Sequence, residues 1–407
     1  MNNIDVVVVG GGQAGLATSH ELSSRGLEHV VLERDRIGET WRRRWDSFCL
    51  VTPNWTVQLP GNPYEGDDPD GFMPKDEIVT YLEGYAATTD TPLRTGVEVH
   101  SVSHQDDRFT LKTSEGEMAA RTVVMATGAY QRPHRPPVAK EIPGDLTVLD
   151  VIDYRSPAHL PEGPVMVVGS GQSGCQLAEE LAEAGREVVL SCGRAPWAPR
   201  RIGGRDIVWW AAQDGFLDQS VDDLPSPEAR LIANVISTGH GGGHDLHLRT
   251  LRAMGVTLAG HLAGVDGRRA TFADDLLQSV AFGDERYRML TKDFPELANR
   301  LGVPVPDLPE PEPFAGGGLE ELNLDGLAAV IFTSGFRPSY GDLVPWPETL
   351  DDHGFPRQHD GASVVLDGLY FVGSHFLRTR KSSLLYGVGE DAAIVASSIA
   401  SRARSSD

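Results

Sequence analysis

The feature that most constrains this chain is a glycine-rich segment that occurs twice, with 159 residues between Gly10 and Gly169. Residues 6–15 are Val-Val-Val-Val-Gly-Gly-Gly-Gln-Ala-Gly, and residues 165–174 are Val-Met-Val-Val-Gly-Ser-Gly-Gln-Ser-Gly. Each copy has an apolar run, a Gly-x-Gly-x-x-Gly motif, an amphipathic stretch, a glycine typical of a helix end, and a second apolar run. This order predicts a β-α-β unit twice. The spacing is far longer than the ~20–50 residues of a solenoid repeat, so we expect two separate dinucleotide-binding domains.

The apolar runs outside the two motifs predict how the domains are connected. A strand at residues 123–128 completes the first unit, and its counterpart at 329–335 follows a proline-rich linker. A last strand and helix are predicted between residues 368 and 399. We therefore expect an α/β protein with two Rossmann-like domains, the second inserted into the first. The expected boundaries are 1–160 and 319–407 for the first domain and 161–318 for the second.

Each glycine of the motif has a physical task in nucleotide binding. Gly10 permits the tight turn, Gly12 lets the backbone approach a diphosphate, and Gly15 allows close packing of helix on strand. Amides at the helix start attract the phosphates. A single motif of this kind can be a structural turn, but both copies follow a strand and open a helix. The residues expected to bind nucleotide in this way are Gly10, Gly12, Gln13, Ala14 and Gly15 in the first copy, and Gly169, Gly171, Gln172, Ser173 and Gly174 in the second.

The two sites are expected to bind different nucleotides. Glu33 ends the second strand of the first unit, and a carboxylate there accepts hydrogen bonds from ribose hydroxyls and repels a 2′-phosphate. The second unit has Ser191 at that place, followed by Arg194, Arg200 and Arg201. Basic groups neutralise a 2′-phosphate, although a solvated basic loop is the alternative. We expect FAD or NAD in the first site and NADP(H) in the second, with hydride passing from nicotinamide to flavin.

Composition excludes several classes of partner. Acidic residues outnumber basic ones by 58 to 36, which gives a net charge of −22 and disfavours nucleic acid and anionic lipid as partners. No apolar run approaches the ~20 residues of a membrane helix, and the N-terminal sequence has no secretory signal. Three cysteines without a Cys-x-x-Cys pair argue against a dithiol centre. We expect a cytoplasmic enzyme. A homodimer is the candidate assembly, because dimers are the commonest soluble assembly.

Several further segments extend the pattern over nearly the whole chain. They are Gly38-Glu-Thr-Trp at 38–41, Arg-Trp-Asp-Ser at 44–47, Ala-Thr-Gly at 126–128, Thr-Ser-Gly-Phe-Arg at 333–337 and Gly-Leu-Tyr-Phe-Val-Gly at 368–373. With the two glycine motifs and Glu33, these segments resemble the class B flavoprotein monooxygenases. That group includes flavin-containing monooxygenases, plant indole-3-pyruvate monooxygenases, Baeyer–Villiger enzymes and a bacterial subgroup of FAD-dependent oxidoreductases often encoded near nitrilase-like genes.

The resemblance implies a cofactor pair and a reaction. FAD would occupy the first domain and NADPH the second, and the reduced flavin would add O₂ as a C4a-(hydro)peroxide that oxygenates a small organic substrate at nitrogen, sulfur or a carbonyl carbon. Val148 stands where the family usually has a histidine before the second glycine motif. An NADPH-dependent flavin oxidoreductase or oxidase without oxygen transfer, and a non-catalytic nucleotide-binding protein, are the alternatives. Further FAD-binding residues implied by the resemblance are Arg34, Trp41, Thr127, Gly128 and Gly373.

Three residues are candidates for catalysis. Asn54 follows a proline near the expected flavin edge and is a candidate hydrogen-bond donor to the oxygen adduct, or else a turn asparagine. His244 and His247 lie in the segment His-Gly-Gly-Gly-His-Asp-Leu-His at 240–247 and are candidate proton carriers. A mobile loop over the cleft and a plain surface loop are both open readings of this segment, and no metal is predicted because glycines give ligands a poor frame.

Overall fold

The computed structural model describes residues 2–405. Within that range the α-helices, numbered α1 to α9, are Gln13–Ser23, Glu39–Arg42, Lys75–Thr88, Gln172–Glu183, Ile207–Gln213, Leu248–Ala253, Leu276–Thr291, Phe294–Leu301 and Val388–Ser405. The strands, numbered β1 to β23, are Asn2–Val9, His29–Glu33, Gln58–Leu59, Asn62–Pro63, Leu93–Thr95, Val99–Gln105, Arg108–Thr113, Gly116–Met125, Arg132–Pro133, Val148–Asp150, Val165–Val168, Val188–Ser191, Arg201–Ile202, Arg205–Asp206, Thr257–Ala259, Leu262–Asp266, Arg269–Phe272, Glu321–Asn323, Ala329–Phe332, Phe336–Arg337, Gln358–His359, Ala362–Ser363 and Leu369–Phe371. Short 3-10 helices are Asn54–Thr56, Pro137–Glu141, Pro157–His159, Phe216–Asp218, Val221–Asp223, Pro227–Leu231, His240–Gly242, Tyr340–Asp342 and Pro347–Thr349.

The first sheet is built around parallel strands in the order β5-β2-β1-β8-β23. The valines of β1 are all buried because both faces of a parallel sheet are covered, and α1 packs against α9 on one of them. The C-terminal strand β23 pairs with β8, with Leu369 opposite Val123, so the end of the chain returns to the first sheet. This arrangement confirms the predicted α/β class.

The second sheet is also parallel, in the order β10-β19-β11-β12-β15. Its borders correct the expected domain boundaries at 161 and 319, because Val148–Asp150 and Ala329–Phe332 both belong to this sheet. The expected boundaries follow the glycine motif and the proline-rich linker. Neither feature marks the edge of a sheet. The sheet that a strand joins depends on its pairing with apolar strands that are far away in the sequence.

The two domains are joined by a short ribbon. Strands β9 and β20 run antiparallel, with Arg132 opposite Arg337 and Pro133 opposite Phe336. One strand leads from the first domain to the second and the other leads back. The two crossings therefore lie side by side at one edge of the cleft between the domains.

No two of the three cysteines form a redox pair. All three are free thiols, and Cys175 and Cys192 have no exposed surface. Burial raises the pKa of the Cys175 thiol and raises the pKa of Cys192 to about 12, so neither is a thiolate at neutral pH. Cys175 is thus a small core residue. Among residues 2–405, none of the helices has both the length and the apolar character needed to cross a membrane.

The packing of the first glycine motif generates a prediction about stability. A Cβ atom at Gly15 would lie 1.8 Å from the carbonyl oxygen of Gly10, a backbone atom that the fold holds in place. We expect Gly15→Ala to lower the free energy of unfolding by more than ~2 kcal/mol, because the helix must move off the strand. Gly84→Ala is the matched control: its Cβ meets nothing within 4 Å in α3, so it should stabilise by about 0.5–1 kcal/mol. Urea denaturation of both variants measures the difference, and equal effects would contradict the argument.

Candidate functional site

A large cavity of about 1270 Å³ lies in the cleft and is lined by residues of both domains. Pockets for one small molecule are typically ~300–1,000 Å³. The cavity is therefore large enough for an extended ligand with a second molecule beside it. Both glycine loops border it, at the carboxyl ends of β1 and β11. Ligands of open parallel sheets bind at this edge.

The first glycine loop is tightly packed on one side and open on the other. Gly10 has a φ of +111°, and a Cβ there would lie 2.5 Å from the carbonyl oxygen of Ala126. A Cβ at Gly12, in contrast, would meet nothing within 4 Å. The open side faces the cavity, where the first turn of α1 presents its free amides. The loop therefore fits the diphosphate of a dinucleotide.

Glu33 is fixed at the end of β2 by two backbone amides. Its Oε2 accepts a hydrogen bond from the Gly11 amide at 2.7 Å, and its Oε1 accepts one from the Asp35 amide at 2.8 Å. A carboxylate oxygen has a second lone pair, so both oxygens can still accept from ribose hydroxyls. Glu33 and Arg34 both line the cavity.

Apart from Gly15, which packs α1 against the turn, the other residues predicted for the first site also border the cavity. Trp41 donates its indole N–H to the side-chain oxygen of Gln13 at 3.2 Å, and the Gln13 amide donates to the carbonyl of Ser383 at 2.7 Å. These bonds connect the start of α1 to α2 and to the segment before α9. The remaining predicted residues on the wall are Ala14, Thr127, Gly128 and Gly373.

The second glycine loop repeats the geometry of the first. Gly169 also has a φ of +111°, and a Cβ at Gly174 would lie 1.8 Å from the Gly169 carbonyl oxygen. At Gly171 a Cβ would meet only Ala233, at 3.7 Å. Gln172 and Ser173 open α4 on the cavity wall. A second diphosphate therefore fits here.

The end of β12 differs from the end of β2, as predicted. Ser191 lines the cavity, but its hydroxyl donates to the carbonyl of Gly260 at 3.0 Å and accepts from the Leu262 amide, so its proton is already used. Arg194 is exposed on the cavity wall. His261, which the sequence analysis missed, lies beside Gly193 and pairs with Asp275 at 2.5 Å. No local motif marks His261, because it follows the neighbouring strand β15 by two residues.

The prediction that Arg200 and Arg201 line the nucleotide site is wrong. Arg200 is 2% exposed, forms an ion pair with Asp206 at 2.5 Å and donates to the carbonyl of Val51 at 2.8 Å. Arg201 donates to the carbonyl of Gly242 at 3.2 Å. Neither side chain borders the cavity, because the β13–β14 hairpin turns the basic segment away from it.

The catalytic role predicted for Asn54 is contradicted by its contacts. The side chain is 6% exposed and does not line the cavity. Its Nδ2 donates to the carbonyl of Asp68 at 2.9 Å, and its Oδ1 accepts from the Met73 amide at 2.7 Å. Both ends of the amide therefore hold the segment from 68 to 73. Thr52, two residues earlier, lies on the cavity wall instead.

The two histidines predicted to carry protons also lie outside the cavity. His244 pairs with Glu179 at 2.5 Å. His247 caps α6 by accepting hydrogen bonds from the amides of Arg249 and Thr250, and its ring lies 4.5 Å from that of Trp197. Residues 240–247 are thus held by contacts with the second domain, and Gly243 also packs against Phe72 of the first. Among residues 2–405 no group of His, Cys, Asp and Glu is arranged to hold a metal ion.

A histidine that the sequence analysis missed does line the cavity. His375 follows β23 by four residues, and its ring hydrogen-bonds with the backbone of Arg230. Burial, reinforced by the guanidinium of Arg380, lowers the pKa of His375 to about 4. The ring is therefore neutral at physiological pH. The lining of the same cavity includes the apolar side chains of Leu231, Ile232, Ala233, Phe355, Leu384 and Leu385.

We expect Asn54 to matter for stability rather than for the reaction. Asn54→Ala removes two hydrogen bonds and leaves buried backbone groups without partners, so unfolding should become easier by ~2–3 kcal/mol. Asn54→Asp keeps an acceptor for the Met73 amide and should lose less. Urea denaturation measures both variants. Unchanged stability together with altered flavin reoxidation would restore the catalytic interpretation.

His375 should make the folded state sensitive to acid. The unfolded chain takes up a proton at this residue near pH 6.5, whereas the folded chain does so only near its pKa of about 4. Stability should therefore decline as pH falls from 6.5 to 4, by about 2–3 kcal/mol from this group. His375→Gln should remove that share of the decline. The control is His359→Gln, at a side chain that is 85% exposed, which should keep the wild-type slope. Equal slopes in all three proteins, measured by urea denaturation, would contradict the assignment.

Comparison with known proteins adds independent support for this arrangement. Residues 7–204 match the family model described as pyridine nucleotide-disulphide oxidoreductase. The chain is 31% identical over 392 residues to the uncharacterized oxidoreductase CzcO-like of Geobacillus kaustophilus, with 96% of each chain covered. It is 32% identical over 411 residues to the probable indole-3-pyruvate monooxygenase YUCCA9 of Arabidopsis thaliana, covering 97% of this chain and 88% of the relative.

The fold comparison agrees with the sequence relatives. A flavin-containing monooxygenase from Stenotrophomonas maltophilia superposes with a TM-score of 0.71 at 20% identity, covering 99% of this chain and 100% of that one. At that identity the similarity shows the fold. The family follows from the sequence relatives, which span nearly the whole chain. The chain therefore belongs to the flavin-containing monooxygenase superfamily, a family of flavoprotein oxidoreductases with FAD and NADPH as cofactors.

Proposed function

We propose that this protein is a monooxygenase in which the first glycine loop binds FAD, the second binds NADPH, and the cleft between them takes a small organic substrate and O₂. The observation that carries the proposal is that two loops of equal geometry border one cavity. The carboxylate of Glu33 ends the second strand of the first unit, and Arg194 follows that of the second. This difference suits a nucleotide without a 2′-phosphate in the first site and one with it in the second.

The protein's own groups would bind the two nucleotides in one cavity. The amides at the starts of α1 and α4 would neutralise the two diphosphates, and Glu33 would accept hydrogen bonds from the FAD ribose. When bound, NADPH supplies a hydride to FAD, and the reduced flavin supplies the electrons that activate O₂. Because NADPH is supplied inside cells, we place the protein in the cytoplasm.

The cavity wall provides what oxygen transfer needs from the protein. The apolar side chains around Leu231 and Leu385 would exclude water from the reacting atoms. His375 is a neutral polar group in the same cavity, and because one of its ring nitrogens is already hydrogen-bonded to the backbone of Arg230, the other nitrogen is left for a ligand. We assign it the task of hydrogen-bonding a substrate or holding a proton during its oxidation.

A specific observation supports an oxidase as the second candidate. Val148, at the place of the family's histidine, starts β10 and packs against the core of the second domain. A valine offers no hydrogen bond there. Without that bond, reduced flavin would return its electrons to O₂ as hydrogen peroxide instead of transferring oxygen to a substrate.

Rapid mixing separates these candidates. The purified protein should be yellow, be reduced by NADPH, and yield an oxygenated product when mixed with O₂ and a panel of soft amines, sulfides and ketones. Hydrogen peroxide equal to the NADPH consumed, with every substrate tried, would leave the oxidase. Binding of both nucleotides without reduction would leave a non-catalytic protein.

The choice of coenzyme depends on Arg194 in this proposal. Arg194→Gln should raise the KM for NADPH by roughly 10–100-fold, as expected for losing a charge-assisted contact of ~1.5–3 kcal/mol, and leave the KM for NADH unchanged. Arg201→Gln is the matched control, since its guanidinium lies outside the cavity. Steady-state kinetics with both coenzymes measures the ratio. A similar loss with NADH, or in the control, would contradict the assignment.

A further inference from the structure

Arg44 carries a charge that the protein itself does not neutralise. The residue lines the cavity just after α2, and its guanidinium carbon lies 5.5 Å from the centre of the Phe48 ring and 5.0 Å from that of Tyr130. In the part of the chain that the structure describes, it forms no ion pair, and its buried Nε has no hydrogen-bond acceptor. Two aromatic faces are thus its main partners.

The neighbouring arginines show how unusual this is. Arg36 pairs with Glu39 at 3.0 Å, Arg42 pairs with Glu83, and Arg43 pairs with Asp35 at 3.2 Å. Each of those side chains reaches an acid on the protein surface. A buried cation without such a partner costs several kcal/mol, because it has left water without gaining a counter-charge. Burial accordingly lowers the pKa of Arg44.

The backbone around Arg44 is held firmly, so the side chain is in position before any ligand binds. Lys75 donates to the Arg44 carbonyl at 3.1 Å. The amide of Asp46 donates to the carbonyl of Arg155 at 2.8 Å, and the guanidinium of Arg155 donates to the carbonyl of Arg43 at 2.7 Å. Residue 155 lies on the stretch that leads into the second glycine loop. Arg44 therefore stands where the two domains meet.

We propose that Arg44 binds an oxyanion group, a phosphate or a carboxylate, of a molecule held in the cavity. The proposal rests on the proposed function, since it concerns the same cleft. A guanidinium stacked on aromatic rings keeps its N–H groups free at its edge, and that planar fork matches the oxygens of phosphate or carboxylate. Tyr130, on one side of the guanidinium, is 46% exposed on the cavity wall, so the space next to it is open. The oxyanion belongs to the diphosphate of NADPH, to the diphosphate of FAD or to an acidic substrate.

Binding titrations on the FAD-loaded protein test this proposal. The variants are Arg44→Met, which keeps the length and removes the charge, and Arg44→Lys, which keeps the charge. The probes are NADP⁺, NAD⁺, phenylacetate and its neutral counterpart phenylacetamide, followed by calorimetry or by the change in flavin absorbance. FAD content is measured in each variant, so that lost flavin is not mistaken for a lost ligand.

Each source of the oxyanion has its own pattern. If it is the nucleotide diphosphate, Arg44→Met should weaken NADP⁺ and NAD⁺ by the same factor, at least tenfold, whereas Arg194→Gln weakens NADP⁺ alone. If it is a substrate acid, Arg44→Met should abolish phenylacetate binding, Arg44→Lys should retain it, and the nucleotides should be unaffected. Loss of FAD in Arg44→Met but not in Arg44→Lys would place the oxyanion on FAD and also support the assignment.

The opposing results are equally distinct. Unchanged titrations and FAD content in Arg44→Met would overturn the proposal. A lower melting temperature of Arg44→Met with unchanged dissociation constants would also overturn it, because Arg44 would then have a structural role. If the proposal holds, removing this unpaired buried charge should leave the nucleotide-free protein at least as stable as the unmodified protein. Failure of the unmodified protein to bind NADP⁺ or FAD would refute the proposed function itself.

Discussion

The contact on which the site depends is the approach of a helix start to the turn that precedes it. A Cβ atom at Gly15 or at Gly174 would lie 1.8 Å from the carbonyl oxygen of the first glycine of its motif. Only glycine permits that distance. The contact fixes α1 and α4 over the ends of β1 and β11, so that the free amides of both helices point toward the cleft. The proposed diphosphate sites would be consequences of this packing.

The same packing explains why one cleft can serve two nucleotides. Both sheets are parallel, and the ribbon of β9 and β20 carries the chain across and back at one edge of the cleft. Each glycine loop consequently borders the cavity. The loops are nearly equivalent in geometry, so the difference between the sites depends on the residues after the second strand of each unit, Glu33 in one and Ser191 to Arg194 in the other.

The sequence predicts a position on the cavity wall where local geometry determines it. The two glycines of each motif's Gly-x-Gly, Glu33 and Arg194 all border the cavity, because neighbouring residues determine the shape of a strand-turn-helix unit. Asn54 and Arg200 were assigned wrongly although their chemistry was suitable, because distant partners hold them: Asp68 and Met73 for Asn54, and Val51 with Asp206 for Arg200. His375 was missed for the same reason, since its neutrality depends on packing around Arg230 and Arg380.

The contacts of a buried guanidinium indicate whether the arginine has a structural role or a binding role, as Arg200 and Arg44 show. The comparison is informative because the chain has a net charge of −22 and therefore many acids that could pair with an arginine. Arg200 donates to the carboxylate of Asp206, the carbonyl of Val51 and the hydroxyl of Ser237, and it stabilises the contact of its segment with Val51. Arg44 lies against the rings of Phe48 and Tyr130 and forms no ion pair with any described residue, in a region where acids are abundant enough to pair Arg36, Arg42 and Arg43. An acid beside Arg44 would stabilise the ligand-free protein but would repel a phosphate or a carboxylate. The unpaired charge is therefore expected where the ligand supplies the counter-charge.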